Sequence, residues 1–375
     1  MNPVVIDTRA AQDPRDVVHR AVEALAGGRV VAFPTETVYG LAASALDEHA
    51  IDRLIDAKGR GQGHPFTLAV RSAEEALDYA PDLSPMGRRL SRRCWPGPLT
   101  LVAENKHPES LLAQLPAKVK QAVVPNGTVG LRVPAHPLIL DVLRMLTGPV
   151  ALTSANQSGQ PEAITAEEVV AAFGDQVDLV LDGGKSRLGQ PSSVVRVHET
   201  SYEILRAGVV TEQHLKRLSS VMILIVCTGN TCRSPMGEVI GRRLLAEKIG
   251  CADNQIDEHG VLISSAGIAA MAGGQASPQG IEVMQKVNLD LTGHSAQPVS
   301  EQMVRHADLI LTMTRGHREA LLSQWPEAAS RTEVLRLDGK DVADPIGGSV
   351  AEYQRCAEQI RKDLATRFEN ITLNN

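Results

Sequence analysis

The feature that most constrains the fold is a hydrophobic run, Ile223–Val226, that continues into the string CTGNTCRSP and then a helix-like segment. A loop that joins a buried strand to a helix directs several backbone N–H groups at one point, beside the positive end of the helix dipole. Gly229 and Asn230 tolerate the positive φ values that a tight anion cradle needs. Arg233 offers a bidentate grip on two phosphate oxygens. The string therefore predicts a phosphate-binding loop.

The cysteine at the start of this loop is a candidate nucleophile. A thiolate is stabilised at a helix N-terminus beside an arginine, so Cys227 is predicted to accept a phosphoryl group that water then removes. The leaving group needs a proton, and Asp344, in the Pro- and Gly-containing stretch ADPIGGS, is the predicted general acid. The alternative is that Cys227 is a small core residue at a strand end.

The second half of the chain alternates strand-like and helix-like segments. Strands are predicted at 223–226, 261–264, 309–313 and 333–337, and helices from 234, near 279–287, at 315–324 and at about 349–368. Regular β/α alternation predicts a doubly wound parallel sheet with helices on both faces.

The first half mixes crossovers and hairpins instead. Capping-box signals occur at Ser72 with Glu75 and at Thr165 with Glu168. The segments SSVVRV and YEILRA predict a terminal hairpin. Together these features predict an α/β domain with a mixed, twisted sheet.

Length and composition set the expected domain count and compartment. A chain of 375 residues with 43% hydrophobic and 22% charged residues is typical of a two-domain globular protein. The polar stretch 208–220 is predicted to link a domain at 1–207 to one at 221–375, which suggests a fusion. Five scattered cysteines predict no disulfide framework, and neither a secretory signal nor a membrane span is recognised. A cytoplasmic protein without membrane partners is expected.

Motifs of the first domain predict a pocket for an anionic nucleotide and a small polar molecule. Lys58 and Arg60, in AKGRGQGHPF, lie at a helix end where both reach a polyphosphate, and Ser154 and Asn156 follow a buried strand on one side. Arg132 interrupts an apolar strand, so its charge needs a partner or a ligand. The alternatives are that Lys58 and Arg60 form a solvated helix end and that the threonines of PTETVYG are turn residues.

Residues 222–375 resemble the low-molecular-weight protein tyrosine phosphatase family through VCTGNTCRSP and the distant Asp-Pro. The resemblance implies Cys227 as nucleophile, Arg233 as transition-state clamp and Asp344 as general acid. It implies that the other loop residues of the site are Thr228, Gly229, Asn230, Thr231, Cys232 and Ser234. In this family pattern, Ser234 tunes the thiolate and Cys232 traps an oxidised Cys227 as a disulfide. No cofactor or metal is implied, and the substrate is a phosphoprotein.

The strings CTGNTCRSPM, ADLILTMT and DPIGGS are most similar to the protein arginine phosphatase branch. Thr231 stands where tyrosine-specific members carry a bulkier aliphatic residue, which implies a smaller, more polar pocket for phosphoarginine. Ile346 departs from the aromatic residue expected after the Asp-Pro, so phosphotyrosine stays an alternative substrate. The alternative functions are a phospho-ligand sensor and an arsenate reductase, whose redox relay would require Cys251 and Cys356.

Residues 15–207 are similar to the YrdC-like threonylcarbamoyl-AMP synthase family through PTETVYGL, the K-x-R pair and S-x-N. The resemblance implies condensation of L-threonine, bicarbonate and ATP into threonylcarbamoyl-AMP and diphosphate, with Mg²⁺ accompanying ATP. It implies a threonine site formed by Thr35, Arg132 and Ser192. It implies an ATP site formed by Lys58, Arg60, Thr128, Ser154, Asn156 and Arg206. The product serves tRNA-modification proteins.

The alternative for the first domain is a non-catalytic RNA-binding module that uses the basic pocket. A net charge of −6 and only 3% aromatic residues argue against bulk attraction to RNA or an extended stacking surface. A local basic groove stays compatible with this composition.

Overall fold

The computed structural model describes residues 2–59, 65–369 and 371. They form two compact units that divide between Leu215 and Lys216. This boundary falls inside the stretch 208–220 predicted as the linker, which carries a helix at Glu212–Ser219. The start of that stretch is tied to the first unit, because Ser193 Oγ donates to Val210 O at 2.8 Å. Within the described ranges, no helix combines the length and hydrophobicity required to cross a bilayer.

The first unit has a mixed α/β architecture. Its strands and longer helices are, in chain order, β1 (Val4–Asp7), α1 (Pro14–Ala26), β2 (Val31–Phe33), β3 (Gly40–Ser44), α2 (Glu48–Lys58), β4 (Thr67–Ala69), α3 (Ala73–Tyr79), α4 (Pro85–Cys94), β5 (Leu99–Glu104), α5 (Ala117–Val123), β6 (Thr128–Arg132), α6 (Pro137–Met145), β7 (Val150–Ser154), α7 (Ala166–Phe173), β8 (Leu179–Asp182), β9 (Ser193–Val197) and β10 (Tyr202–Arg206).

In the described residues these strands form one sheet in the order β1-β8-β2-β3-β7-β4-β6-β5-β9-β10. Parallel pairs such as β4–β6 and antiparallel pairs such as β3–β7 both occur. The predicted mixed sheet is therefore confirmed, as is the terminal hairpin of β9 and β10. Helices α1 and α6 bury their apolar faces against this sheet, with Val17, Leu25 and Ile139 packed in one cluster with Phe33.

The two predicted capping boxes have different outcomes. At α7 both contacts form, because Thr165 Oγ1 accepts from Glu168 N and the Glu168 carboxylate accepts from the N-cap backbone. At α3, Ser72 Oγ accepts from Glu75 N at 3.1 Å. The Glu75 carboxylate reaches one residue further back and accepts from Arg71 N at 2.7 Å. The Glu75 half of this box was therefore predicted wrongly.

Beyond α8 (Glu212–Ser219), the second unit alternates strands and helices. Its elements are β11 (Val221–Cys227), α9 (Arg233–Ile249), β12 (Val261–Gly267), α10 (Pro278–Gln285), α11 (Glu301–His306), β13 (Leu309–Thr312), α12 (Arg315–Gln324), β14 (Thr332–Val334) and α13 (Val350–Glu369). The strands pair in parallel in the order β12-β11-β13-β14. The last strand is shorter than predicted, because the chain turns where Gly339 N donates to Arg336 O at 3.1 Å.

Strand β11 shows why both faces of this sheet are covered. Ile223 and Ile225 lie in a core cluster with α9 and α13, whereas Leu224 and Val226 lie in a second cluster with α11 and α12. Alternate side chains of a strand point to opposite faces, so a continuous hydrophobic run requires helices on both sides. The predicted doubly wound parallel fold is confirmed. It directs the carboxyl end of the inner strand β11 into the cysteine loop.

Candidate active sites

The cysteine loop runs from the end of β11 to the first turn of α9. The Cys227 Sγ and Ser234 Oγ atoms lie 2.9 Å apart, and Asn230 N donates to Cys227 Sγ at 3.3 Å. Cys227 is only 2% exposed. Its sulfur therefore lies among hydrogen-bond donors that favour a negatively charged atom.

Asn230, and not Gly229, makes the left-handed turn of this loop. Asn230 has φ of +54°, whereas the φ of Gly229 lies outside the left-handed region. Of the two residues expected to tolerate a positive φ, Asn230 is the one that adopts it. Asparagine tolerates this conformation because its short amide makes local hydrogen bonds. Here Asn230 Nδ2 donates to Ser234 Oγ and to Ser265 Oγ, each at 2.9 Å.

Residues from distant segments complete the support of Asn230. Its Oδ1 accepts from Gln297 N at 2.9 Å, and its backbone carbonyl lies 2.7 Å from His294 Nε2. Ser265 Oγ in turn donates to Glu238 Oε2 at 2.6 Å. Sequence reasoning missed these supporting residues, because none lies in a motif that was recognised.

Arg233 is 4% exposed and bonds to the loop that carries the predicted general acid. Its Nη1 donates to Val342 O at 3.1 Å, and its Nη2 contacts the Asp344 carboxylate. The Nε–H is buried and has no hydrogen-bond partner in the part of the chain that the structure describes. Buried donors are nearly always paired, so this one indicates a position for an anionic ligand.

His317, on α12, is a further residue of this site that sequence reasoning did not find. Its Nε2 lies 2.8 Å from Thr228 Oγ1, which also lies 3.5 Å from Arg233 Nη2. Burial, reinforced by the charge of Arg233, lowers the pKa of His317 from 6.5 to about 4. The imidazole is therefore neutral near pH 7 and bonds the loop through the Thr228 hydroxyl.

The lowered pKa of His317 predicts a pH dependence of stability. Between pH 6.5 and about 4 the unfolded chain binds a proton at His317 that the folded chain does not, so stability falls as pH falls through this window. Above pH 6.5 the group contributes no slope. We expect His317→Gln to lose part of this slope in denaturant unfolding of the second unit. An unchanged slope would contradict the assignment.

Three further cysteines lie in the second unit, and one of them, Cys232, belongs to the loop itself. The Cys232 Sγ and Tyr353 OH atoms lie 3.1 Å apart, and burial raises the pKa of Tyr353 to about 12. Cys356 is buried with its sulfur 3.7 Å from Ala343 O, beside Asp344. Cys251 follows the far end of α9, about 25 Å along a 17-residue helix. This distance argues against a relay that uses both Cys251 and Cys356.

Gly267, at the end of β12, is required by the close approach of the loop. A Cβ at this position would lie 2.4 Å from Thr228 O and 2.8 Å from Asn230 N, both backbone atoms. We expect Gly267→Ala to displace the loop and to lower phosphatase turnover on the order of 10²-fold. The control is Gly293→Ala, where a Cβ meets nothing within 4 Å. Equal turnover of both variants would contradict this account.

The first unit contains a cavity lined by hydroxyl groups and two arginines. Six of the predicted ligand residues line it together, namely Thr35, Thr128, Arg132, Ser154, Ser192 and Arg206. Its further lining hydroxyls, which sequence reasoning had not assigned to a ligand, belong to Thr37, Thr67, Thr100 and Thr153. Lys58 and Asn156 do not line this cavity, and Arg60 lies outside the described residues.

The buried charge of Arg132 has a partner that was not foreseen. Its Nη2 donates to Glu36 Oε1 at 2.7 Å and to Thr37 Oγ1 at 3.0 Å. Its Nε donates to Gly97 O at 3.2 Å. Glu36 lies inside the motif PTETVYG, which sequence reasoning had recognised. Nothing in the motif indicated that Glu36, in addition to the adjacent threonines, contributes to the site.

Arg206 occupies another part of the lining. Its Nη2 donates to Ser192 O at 2.8 Å and to Ser192 Oγ at 3.1 Å, and Ser192 Oγ lies 3.1 Å from Thr100 Oγ1. Burial lowers the pKa of Arg206. Within the described residues this guanidinium forms no ion pair, which leaves its charge available to an anion.

Lys58 has a buried position behind Ser154. It is 0% exposed, and its Nζ donates to Ser154 O at 2.7 Å and to Asn156 Oδ1 at 3.0 Å. The interpretation as a solvated helix end is therefore wrong for this residue. Its bonds hold the end of β7, where Ser154 lines the cavity, and the start of the following loop at Asn156.

The folds and sites define a two-domain α/β chain, with a cavity lined by hydroxyl groups and two arginines in one domain and a cysteine loop in the other. Residues 23–208 match the Sua5/YciO/YrdC family model, described as telomere recombination. Residues 222–374 match the model of low molecular weight phosphotyrosine protein phosphatases. Through its first domain, the chain belongs to the threonylcarbamoyl-AMP synthase family. Its second domain is a low molecular weight phosphatase domain.

Curated relatives support the first match. A threonylcarbamoyl-AMP synthase of Pyrococcus abyssi is 37% identical over 193 residues, which cover 51% of this chain and 54% of the relative. A putative threonylcarbamoyl-AMP synthase of Mycobacterium tuberculosis is 35% identical over 201 residues, 54% of this chain and 88% of the relative. The chain thus spans about half of the first relative and most of the second.

Solved structures resemble the chain as follows. The match to a mutant of Pyrococcus abyssi Sua5 covers 88% of this chain and 98% of the Sua5 chain, with 24% sequence identity and a TM-score of 0.51. This similarity supports the fold alone. A YwlE mutant from Bacillus subtilis covers 40% of this chain and 97% of its own, with 31% identity and a TM-score of 0.36.

Proposed function

We propose that the first domain condenses L-threonine, bicarbonate and ATP into threonylcarbamoyl-AMP and diphosphate. The observation that carries this proposal is that six ligand residues assigned from sequence, two of them arginines, line one cavity. Arg132 and Ser192 would hold threonine, and Arg206, Thr128 and Ser154 would hold ATP. The product would be consumed by tRNA-modification proteins.

In this reaction the cavity mainly positions the substrates and neutralises their charge. Threonine's amine and bicarbonate form a carbamate with loss of water. A carbamate oxygen then bonds to the α-phosphorus of ATP as the bond to the β-phosphate oxygen breaks, and diphosphate leaves. Arg206, without an ion pair among the described residues, is the group best suited to the charge on the phosphates.

Mg²⁺ would enter as part of the nucleotide substrate. The cavity lining, as far as the structure describes it, contains hydroxyl and guanidinium groups but no carboxylate. Mg²⁺ prefers carboxylate, phosphate and water oxygens. The triphosphate, with bound water, therefore supplies most of its ligands, and the protein holds the phosphates.

The decisive experiment is incubation of the purified full chain with ATP, threonine and [¹⁴C]bicarbonate. Threonylcarbamoyl-AMP and diphosphate are expected in equal amounts by mass spectrometry and phosphate analysis. Omission of threonine is the control for unproductive ATP hydrolysis. Absence of the product, with RNA binding retained, would replace this proposal by an RNA-binding module.

For the second domain we propose a cysteine-dependent phosphatase that acts on phosphoprotein. The observation that carries this proposal is the position of Cys227 Sγ, 2.9 Å from Ser234 Oγ, beside an arginine whose buried Nε has no hydrogen-bond partner among the described residues. A phosphoryl group that binds in the loop would replace the Asp344 carboxylate as the partner of the Arg233 guanidinium. Cys227 would attack phosphorus as the leaving group departs with a proton from Asp344. Water would then attack the phosphocysteine, returning a proton to Asp344 and releasing phosphate.

Phosphoarginine is the proposed substrate side chain, and Thr231 is the residue that favours it. Its backbone carbonyl accepts from Ser277 N at 2.8 Å, which holds this part of the loop, so an exchange of the Thr231 side chain tests specificity with little change of the backbone. We expect Thr231→Ile to lower kcat/KM for phosphoarginine at least about tenfold while phosphotyrosine turnover holds or rises. A parallel change for both substrates would show that Thr231 does not discriminate between them.

A further inference from the structure

Glu36 is a buried carboxylate at the threonine end of the cavity. It is 5% exposed, and both carboxylate oxygens are used within the protein. Oε1 accepts from Arg132 Nη2 at 2.7 Å, and Oε2 accepts from Ala135 N at 2.9 Å. Its backbone carbonyl accepts from Leu188 N at 2.9 Å. Glu36 does not line the cavity and therefore acts through the residues that it holds.

The bonds of Arg132 leave one nitrogen for a ligand. Nη2 is used by Glu36 and Thr37, and Nε is used by Gly97 O. Nη1 bonds to no described residue, and it is not among the buried polar atoms that lack a partner. Because Arg132 lines the cavity, Nη1 is the donor that faces it. Glu36 fixes the direction of Nη1, because the guanidinium is planar and the bond from Nη2 to Glu36 orients the whole group.

The two arginines of the cavity differ in charge balance. Arg132 is neutralised by Glu36 at hydrogen-bond distance, whereas Arg206 donates only to Ser192 among described residues. Glu162 acts on Arg206 at a distance without an ion pair. A triphosphate carries several negative charges, whereas an amino acid carries one carboxylate and is neutral overall. The uncompensated arginine attracts the triphosphate more strongly.

We infer that Glu36 is a positioning and specificity residue that reserves the Arg132 end of the cavity for a zwitterionic amino acid and excludes polyphosphate from it. The inference deepens the proposed synthase function and rests on it. Orientation by Glu36 directs Nη1 at the carboxylate of threonine. Charge compensation keeps the triphosphate of ATP at the Arg206 end, so the amino acid and the nucleotide bind in one cavity without exchanging places.

The test is calorimetric titration of threonine with and without inorganic tripolyphosphate, on the full chain. For the wild type, tripolyphosphate should leave the threonine Kd within twofold. For Glu36→Gln we expect the threonine Kd to rise at least tenfold and to rise further in proportion to tripolyphosphate, because an uncompensated Arg132 accepts either anion. The matched control is Glu203→Gln, an exposed carboxylate paired with Arg196 on the same sheet.

Each outcome decides between the alternatives. If tripolyphosphate competes with threonine in neither the wild type nor Glu36→Gln, the inference is overturned. An equal loss of threonine affinity and ATP affinity in Glu36→Gln, which a structural role alone would produce, also overturns it. If Glu36→Gln does not fold, Glu36→Asp retains the charge and should weaken threonine without introducing competition; competition in that variant also overturns the inference. If the wild type binds threonine but makes no threonylcarbamoyl-AMP, the proposed synthase function is refuted. The effect of tripolyphosphate on threonine binding then still tests the role of Glu36. A wild type that binds no threonine refutes both.

Discussion

Replacement of Cys227 by serine is expected to lower phosphatase turnover by roughly 10⁴-fold or more, because the attacking sulfur is removed. The backbone of the loop and the Arg233 side chain are unchanged in this variant, so phosphate affinity should stay within a few-fold. Turnover is measured with a phosphoarginine peptide and with an aryl phosphate, and affinity by calorimetry with inorganic phosphate. Synthesis of threonylcarbamoyl-AMP by the first domain provides an internal standard for folding.

The control for this variant is Cys251→Ser, beyond the far end of α9 from the loop. It should retain wild-type turnover. Residual activity of Cys227→Ser within tenfold of the wild type would exclude sulfur as the nucleophile. A wild type that binds phosphate but does not turn over either substrate would favour a phospho-ligand sensor.

Removal of Arg132 alone is expected to destabilise the first domain by about 3–5 kcal/mol, because it leaves the Glu36 carboxylate buried without its counter-ion. We therefore expect Arg132→Met to unfold at clearly lower denaturant concentration. The double variant Arg132→Met/Glu36→Gln should recover much of the loss, since no full charge then stays buried. This recovery separates an ion-pair effect from loss of packing.

Unfolding of the first domain is followed through Trp95, which is 3% exposed, in a Trp325→Phe background that removes the tryptophan of the second domain. The control is Arg144→Met, which breaks the exposed ion pair with Asp141 and should change stability by at most about 1 kcal/mol. Similar losses for Arg132→Met alone and for the double variant would contradict the pair as the cause. Threonine binding should be lost in both.

Local chemistry explains which features were predictable. The phosphate loop is contiguous, from Cys227 to Ser234, so its residue types and spacing were visible without knowledge of the fold. The capping box of Thr165 and Glu168 joins residues three positions apart, and the hydrophobic run of β11 lies within a strand of seven residues. Interactions of this range depend on backbone periodicity, which a sequence displays directly.

Which residue of the loop adopts the positive φ was not predictable from the sequence. Glycine tolerates positive φ, but tolerance does not decide which residue of a loop adopts it. Asn230 takes that conformation because its amide finds Ser234 and Ser265, and Ser265 belongs to another strand. A property of one residue was therefore decided by a partner 35 positions away.

The sequence by itself determined two α/β domains, the cysteine loop and six of the residues that line the cavity. The tertiary structure decided that Glu36 neutralises Arg132, 96 positions away, and that His317 contacts Thr228, 89 positions away. It also buried Lys58 behind Ser154, where the sequence had left a solvated helix end open. Such contacts depend on strand order and register, which arise from packing the whole chain and have no local signature in the residues that they join.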